Sequence, residues 1–188
     1  MQSSFLRSVR KVHRYTGVFL FVFFFAIGTT GLMLGWKKNS FGLILPASTN
    51  GTSILLKEWK NLEELNIKAD SVLLAFAGNE TSTKLDRIDI RKDKGIVKFV
   101  YLDDYWEVQL DGATGNILQI SKRRSDLIED LHDGSFFDLY FGTKGEPIKL
   151  IYTLIMGLAL ITFTITGFWL WYGPKQIRKQ RSQKRIPD

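Results

Sequence analysis

Two long stretches without a charged side chain bound what this chain can become. Val18–Trp36 and Leu150–Trp171 contain no Asp, Glu, Lys or Arg, and each is close to the about 20 apolar residues that a helix needs to cross a bilayer. A helix bonds its own backbone, so it is how a single such segment satisfies its peptide groups in hydrocarbon. The pattern predicts transmembrane helices over 15–36 and 148–172. Neither has the form of a cleaved signal: the first is long for such a segment and runs into Gly35-Trp36-Lys37-Lys38 instead of a small-x-small site.

Charge placement orients the pair. The N-terminal flank, 1–14, carries Arg7, Arg10, Lys11 and Arg14, and the tail, 173–188, carries Lys175, Arg178, Lys179, Arg181, Lys184 and Arg185. These ten cations against Asp188 alone leave the ends at +9, whereas Lys37–Lys149 holds sixteen cations and eighteen acids, for −2. Positive flanks stay on the cytoplasmic side, so both termini are expected inside and the middle outside. The net charge of +7 is then a topology signal that anionic lipid accounts for. Nucleic-acid binding would need one folded basic face, and here the cations are split into two juxtamembrane clusters.

The middle reads as a small α+β domain over 37–124, followed by a helix and loop over 125–147. Leu55, Leu56, Trp59, Leu62 and Leu65 recur at roughly helical spacing, predicting a short amphipathic helix over 55–65. Ser71–Ala77 is expected as a compact apolar strand. Leu85–Arg91, Ile96–Leu102, Tyr105–Leu110 and Asn116–Ile120 follow as strands, with Asp103-Asp104 and Asp111-Gly-Ala-Thr-Gly115 as turns. Ser125 or Asp126 suits the N-cap of a helix that would place His132 on one face with Ile128 and Phe136. Pro174 is expected to stop the second span. Gly28, Gly31 and Gly35 line one side of the first span, and Gly31-Leu-Met-Leu-Gly35 is a GxxxG that admits a second helix or a flat ligand close to the backbone.

The chain has only two histidines and no cysteine, which excludes disulfides and thiolate metal sites within it. His13 falls at the cytoplasmic mouth of the first span and His132 just before the second, so the topology parts them by about 30 Å. They cannot share one metal within a chain. A second copy across a two-fold axis would bring each beside its counterpart, and a six-coordinate haem iron takes two axial imidazoles with small residues alongside. Gly17 one turn after His13, and Gly134 with Phe136 near His132, suit that arrangement. The bland alternatives are an interfacial histidine among Arg10, Lys11 and Arg14, and a His132 bonded to a neighbouring carboxylate. Glu129, Asp130 and Asp133 read as a solvated acidic turn. There is no strand-borne GxGxxG, P-loop or HExxH, so a redox role would need a quinol or another protein as electron donor.

Four segments together resemble the PepSY-associated transmembrane family: Lys11-Val-His-Arg-Tyr-Thr-Gly17, Leu110-Asp-Gly-Ala-Thr-Gly-Asn-Ile-Leu118, Leu127-Ile-Glu-Asp-Leu-His-Asp-Gly134 and Thr166-Gly-Phe-Trp-Leu-Trp-Tyr-Gly-Pro174. The likeness covers nearly the whole chain, as a small two-span member. It implies a periplasmic PepSY domain and a bacterial inner-membrane location. Larger four-span relatives include haem-containing ferrisiderophore reductases, which use histidines in these two motif types. That implies His13 and His132 as axial ligands of haem b, and a ferric-siderophore reductase or b-type cytochrome subunit as the activity. With a single pair of spans, a homodimer is the natural way to rebuild a four-helix unit. The alternative is a non-redox module: a PepSY domain anchored by its spans that contacts an outer-membrane iron transporter or a peptidase, or an accessory subunit of a larger membrane complex.

Overall fold

The computed structural model describes residues 3–183. Met1 and Gln2 of the N-terminal segment, and Lys184, Arg185 and Asp188 of the basic tail, lie outside the described residues. Helix α1 (Ser3–Trp36) is followed by 3-10 turns at Lys37–Asn39 and Leu56–Glu58 and by α2 (Leu62–Ala77). Then come β1 (Leu85–Arg91), a 3-10 turn at Lys92–Lys94, β2 (Ile96–Tyr101), β3 (Trp106–Asp111) and β4 (Ile117–Lys122). Helices α3 (Arg124–Asp133), α4 (Ser135–Phe141) and α5 (Pro147–Gln183) complete the chain. It divides into two compact units, one of 1–31 with 130–188 and one of 32–129.

The first unit holds most of α1 with α4 and α5. Both α1 and α5 are long and apolar enough to cross a membrane. At 34 residues, α1 is about 50 Å long, more than the about 30 Å of hydrocarbon. The basic flank from Ser3 onward is part of the same helix and forms the first turns of α1. Likewise α5 does not stop at Pro174 but runs through it to Gln183. Proline removes one amide bond and kinks a helix without having to end it, and Gly173 before it has no Cβ to meet the ring. Aromatic side chains join the spans: Phe24 meets Phe163 with ring centroids 5.7 Å apart, Phe23 meets Tyr152 at 6.4 Å and Phe5 meets Trp169 at 6.0 Å.

Between α3 and α5 the chain turns twice. Gly134 takes φ 85° and ends α3 at Asp133, so Phe136 belongs to α4 and does not share a helix face with His132 as expected. A Cβ at Gly134 would also lie 2.8 Å from the Tyr152 ring. From α4, Asp138 accepts the amides of Ile148 (3.1 Å) and Lys149 (2.7 Å), capping the free N–H groups at the start of α5. Burial opposes ionisation of Asp138, but the Thr143 hydroxyl and those two amides outweigh it and hold the carboxyl below its usual range.

The second unit is a helix on a four-stranded antiparallel meander in the order β1-β2-β3-β4. Leu65, Ala69 and Leu73 of α2 pack on Val97, Phe99, Tyr101, Val108 and Leu110. The predicted strand over Ser71–Ala77 is in fact the second half of α2, and the predicted helix over 55–65 supplies only a 3-10 turn and the start of α2. Leu65, Ala69 and Leu73 recur every fourth residue, Asn61 caps the N-terminus by accepting the Glu63 amide at 2.8 Å, and Gly78 ends the helix with φ 102°. Alanine and leucine favour that helix, and local signals at both ends agree with it.

The other face of the sheet is polar and also buried. Lys98 stands opposite Gln109, and Val100 opposite Glu107; Glu107 and Gln109 are fully buried. An irregular strap over 44–53 covers them. Gln109 donates to the Ala47 carbonyl at 2.9 Å, and Asp111 accepts the Thr52 amide at 2.9 Å. A Cβ at Gly51 would fall 2.1 Å from the Gly95 carbonyl oxygen, so only glycine lets the strap lie this close. Beneath it Glu107 accepts from Lys98 at 3.3 Å and from Arg123, and Arg123 reaches on to Asp126 at 3.0 Å. Arg87 closes the network on Asp126 at 2.7 Å.

Two outcomes check this account on the full chain in detergent. Leu73→Ala opens a cavity between α2 and the sheet and is expected to destabilise the second unit by about 2–5 kcal/mol, read from its denaturant midpoint by tryptophan fluorescence. For Asp126, burial raises the carboxyl's pKa, but the Arg87 bond and the Arg123 charge more than offset this and hold it below the usual carboxylate range. A depressed folded pKa stabilises above the unfolded value of about 3.9 and is lost as pH falls through the folded value. Thermal midpoints are therefore expected to drop below about pH 4, with a smaller drop in Asp126→Asn.

Candidate functional site

Both histidines lie in the first unit, and each is held by a threonine on one of the spans. His13, on α1, places Nδ1 2.8 Å from Oγ1 of Thr166 on α5. His132, on the last turn of α3 and just ahead of α5, places Nδ1 2.8 Å from Oγ1 of Thr30 on α1. In each case the next residue is a glycine against the imidazole edge. A Cβ at Gly31 would lie 3.4 Å from Cε1 of His132, and one at Gly167 would lie 3.6 Å from Cε1 of His13. The two arrangements are alike, each with a histidine seated on a Thr-Gly pair of another helix, His13 of α1 on α5 and His132 of α3 on α1.

The hydrogen-bond chemistry favours one position for the ring proton. Thr30 Oγ1 lies 2.7 Å from the Ala26 carbonyl oxygen, and Thr166 Oγ1 lies 2.7 Å from that of Thr162. A carbonyl oxygen only accepts, so each hydroxyl proton goes to its own helix. Each threonine oxygen then has lone pairs to accept from an imidazole that carries its hydrogen on Nδ1. Neither Nε2 has a hydrogen-bond partner among the described residues. A neutral imidazole protonated on Nδ1 keeps its lone pair on Nε2, the form that binds a metal.

The glycines serve differently from the expectation. The face of Gly17 is filled by Phe163, whose Cε2 would lie 2.9 Å from a Cβ there, and whose ring stacks on His13 with centroids 3.9 Å apart. Gly134 is filled by Tyr152. Neither glycine offers an open seat for a flat ligand. Of the glycines along the first span, Gly31 receives His132, while Gly28 and Gly35 have nothing within 4 Å of an added Cβ. Smooth, open helix surface therefore lies one turn from the Gly31 contact.

Thr30 runs seventeen residues beyond His13 on α1, so the two imidazoles stand at levels about 25 Å apart and form separate sites. The acidic residues near His132 are engaged elsewhere. Asp133 accepts from Lys149 at 3.0 Å, Asp130 from the Ser135 hydroxyl at 3.0 Å, and Glu129 pairs with Lys37 at 3.6 Å. Among the described residues no group of three or more His, Cys, Asp or Glu is close enough to hold an ion.

Thr30 and Thr166 escaped the sequence reading. The signal was the recurrence of Thr30-Gly31-Leu-Met-Leu34 as Thr166-Gly167-Phe-Trp-Leu170, a short internal repeat near opposite ends of the two spans.

No curated protein matches the chain. The family model described as PepSY-associated TM region matches residues 3–188, covering both spans, both histidine levels and the helix-on-meander unit between them. With two membrane-spanning helices flanking such an α+β unit, the chain belongs to the PepSY-associated transmembrane region family.

Proposed function

We propose that this membrane protein is a haem-binding electron-transfer module of the bacterial inner membrane, passing electrons to a periplasmic acceptor such as a ferric siderophore. One observation carries the reading. The only two histidines stand near opposite ends of the paired spans, each with Nδ1 bonded to a threonine and Nε2 left as a free donor.

The donor set fits an axial imidazole, and His13 and His132 are the residues that would hold haem b. When bound, the haem supplies one-electron chemistry between ferric and ferrous iron, at a potential set by axial ligation and burial. One chain offers a single imidazole at each level, and a second copy related by a two-fold axis would offer the matching one. The same copy would cover apolar surface that the paired spans leave exposed, including Phe19, Phe21 and Phe25.

The orientation follows from the flanks. Arg7, Arg10, Lys11 and Arg14 precede the first apolar run, and Lys175, Arg178 and Lys179 follow the second, which favours cytoplasmic termini and a periplasmic middle unit. On this reading the His13 level faces the electron donor and the His132 level faces the acceptor.

The test is spectroscopic. Full chain from cells supplied with haem is expected to show a Soret band and the reduced-form bands of a low-spin bis-histidine haem. His13→Ala and His132→Ala are each expected to lose one haem and keep the other. Haem-free protein from such cells, or binding unaffected by both substitutions, would refute the proposal. A co-purifying partner from an iron-uptake or respiratory complex would then favour the anchoring module.

A further inference from the structure

We infer that Thr30 and Thr166 are positioning residues that lock His132 and His13, respectively, as Nδ1–H tautomers, so that both present Nε2 as the ligand atom. The inference deepens the haem reading above and rests on it for its purpose, though its own chemistry stands without any bound group.

Free neutral imidazole side chains favour the proton on Nε2, which leaves the lone pair on Nδ1, close to the main chain. A ligand that must reach beyond its own helix needs the lone pair at the far nitrogen. A second hydrogen bond to Nδ1–H achieves this by fixing the tautomer and the ring orientation, and it raises the basicity of the ligand atom. Metal-binding histidines generally use a carboxylate or a backbone carbonyl for this bond. Within a span a carboxylate would carry a costly charge.

A threonine whose hydroxyl donates to the carbonyl four residues back is a neutral substitute. Its oxygen keeps lone pairs for the imidazole while its hydrogen is satisfied. Both threonines have this geometry, at 2.7 Å to the carbonyl and 2.8 Å to the imidazole. The adjoining Gly31 and Gly167 lie beside Cε1 of each ring, where an added Cβ would be in ordinary contact at 3.4 and 3.6 Å. Thr162 and Thr164 on α5 make the same bond to their own helix, at 2.8 Å each, without meeting a histidine. The assignment is thus particular to the two Thr-Gly pairs.

The experiment separates this inference from the haem reading. Full chain, free of haem, is labelled on histidine nitrogen and placed in lipid nanodiscs at alkaline pH, and two-bond proton–nitrogen spectra report each tautomer. Wild type is expected to show both histidines as Nδ1–H. Thr30→Val is expected to move only His132 toward Nε2–H, and Thr166→Val only His13, with serine at either position restoring the wild-type pattern. The untouched histidine in each variant is the control for folding. Nε2–H signals in wild type, or no change in either valine variant, would overturn the inference.

In haem-loaded protein, each valine variant is expected to raise the midpoint potential at one level, because a weaker donor stabilises ferric iron less. An unshifted potential would also count against the inference. Protein that takes up no haem in cells supplied with it, yet shows the expected tautomers, would sink the haem reading and leave the tautomer lock standing.

Discussion

Two imidazole–hydroxyl hydrogen bonds tie α1 to its neighbours, His13 to Thr166 on α5 and Thr30 to His132 on α3, and much of the first unit is arranged around them. In hydrocarbon an apolar helix gains little from packing against another, because lipid tails are as good a partner. Specific pairing therefore depends on the few polar side chains that must find each other. Interhelical bonds of this kind are worth about 0.6–2 kcal/mol each, and here there are two. The two contacts lie about 25 Å apart along α1, one to α5 and one to α3. Aromatic contacts accompany them: Phe163 stacks on His13 because Gly17 yields the space, and Tyr152 fits over Gly134 for the same reason.

The second unit solves a different problem. A four-stranded sheet with one helix on it leaves its other face to water or to a cover. Here the cover is the irregular strap over 44–53, which bonds to side chains of the sheet instead of adding a strand. Burying Lys98, Glu107 and Gln109 beneath it costs desolvation that hydrogen bonds must offset. Glu107 is met by both Lys98 and Arg123, and Gln109 is satisfied at both ends of its amide. Such a layer tolerates few substitutions, since removing one member strands a buried charge or amide.

How far the sequence revealed this depended on whether the deciding force was local. The spans were legible because hydrocarbon imposes a length and a composition on any segment that crosses it. The meander was legible because Asp111-Gly-Ala-Thr-Gly115 and the alternation of Trp106, Val108 and Leu110 are local signals. Ser71–Ala77 misled because a short apolar run has no clear period taken alone; its helical register shows only when Leu65 and Ala69 are read with Leu73. The burial of Glu107 and Gln109 was not legible, since the strap that covers them has no periodicity to announce it. His13 and His132 stood out by rarity. Their threonines did not, because a threonine in an apolar run ordinarily bonds its own helix, and these two do so as well.

That double use of one hydroxyl explains why the arrangement is economical. A span tolerates a threonine because its proton returns to the helix backbone, so the residue enters hydrocarbon without an unpaired donor. The remaining lone pairs are then available to any N–H that the neighbouring element brings. An Asn or Gln in the same place would still need partners for its amide hydrogens, and an Asp or Glu would need a counter-charge. Placing the acceptor on one element and the imidazole on the other makes each site depend on both. A histidine on an isolated span would have no Nδ1 partner and no reason to favour one nitrogen over the other. The fold thus couples the packing of these elements to the hydrogen bonding of each imidazole.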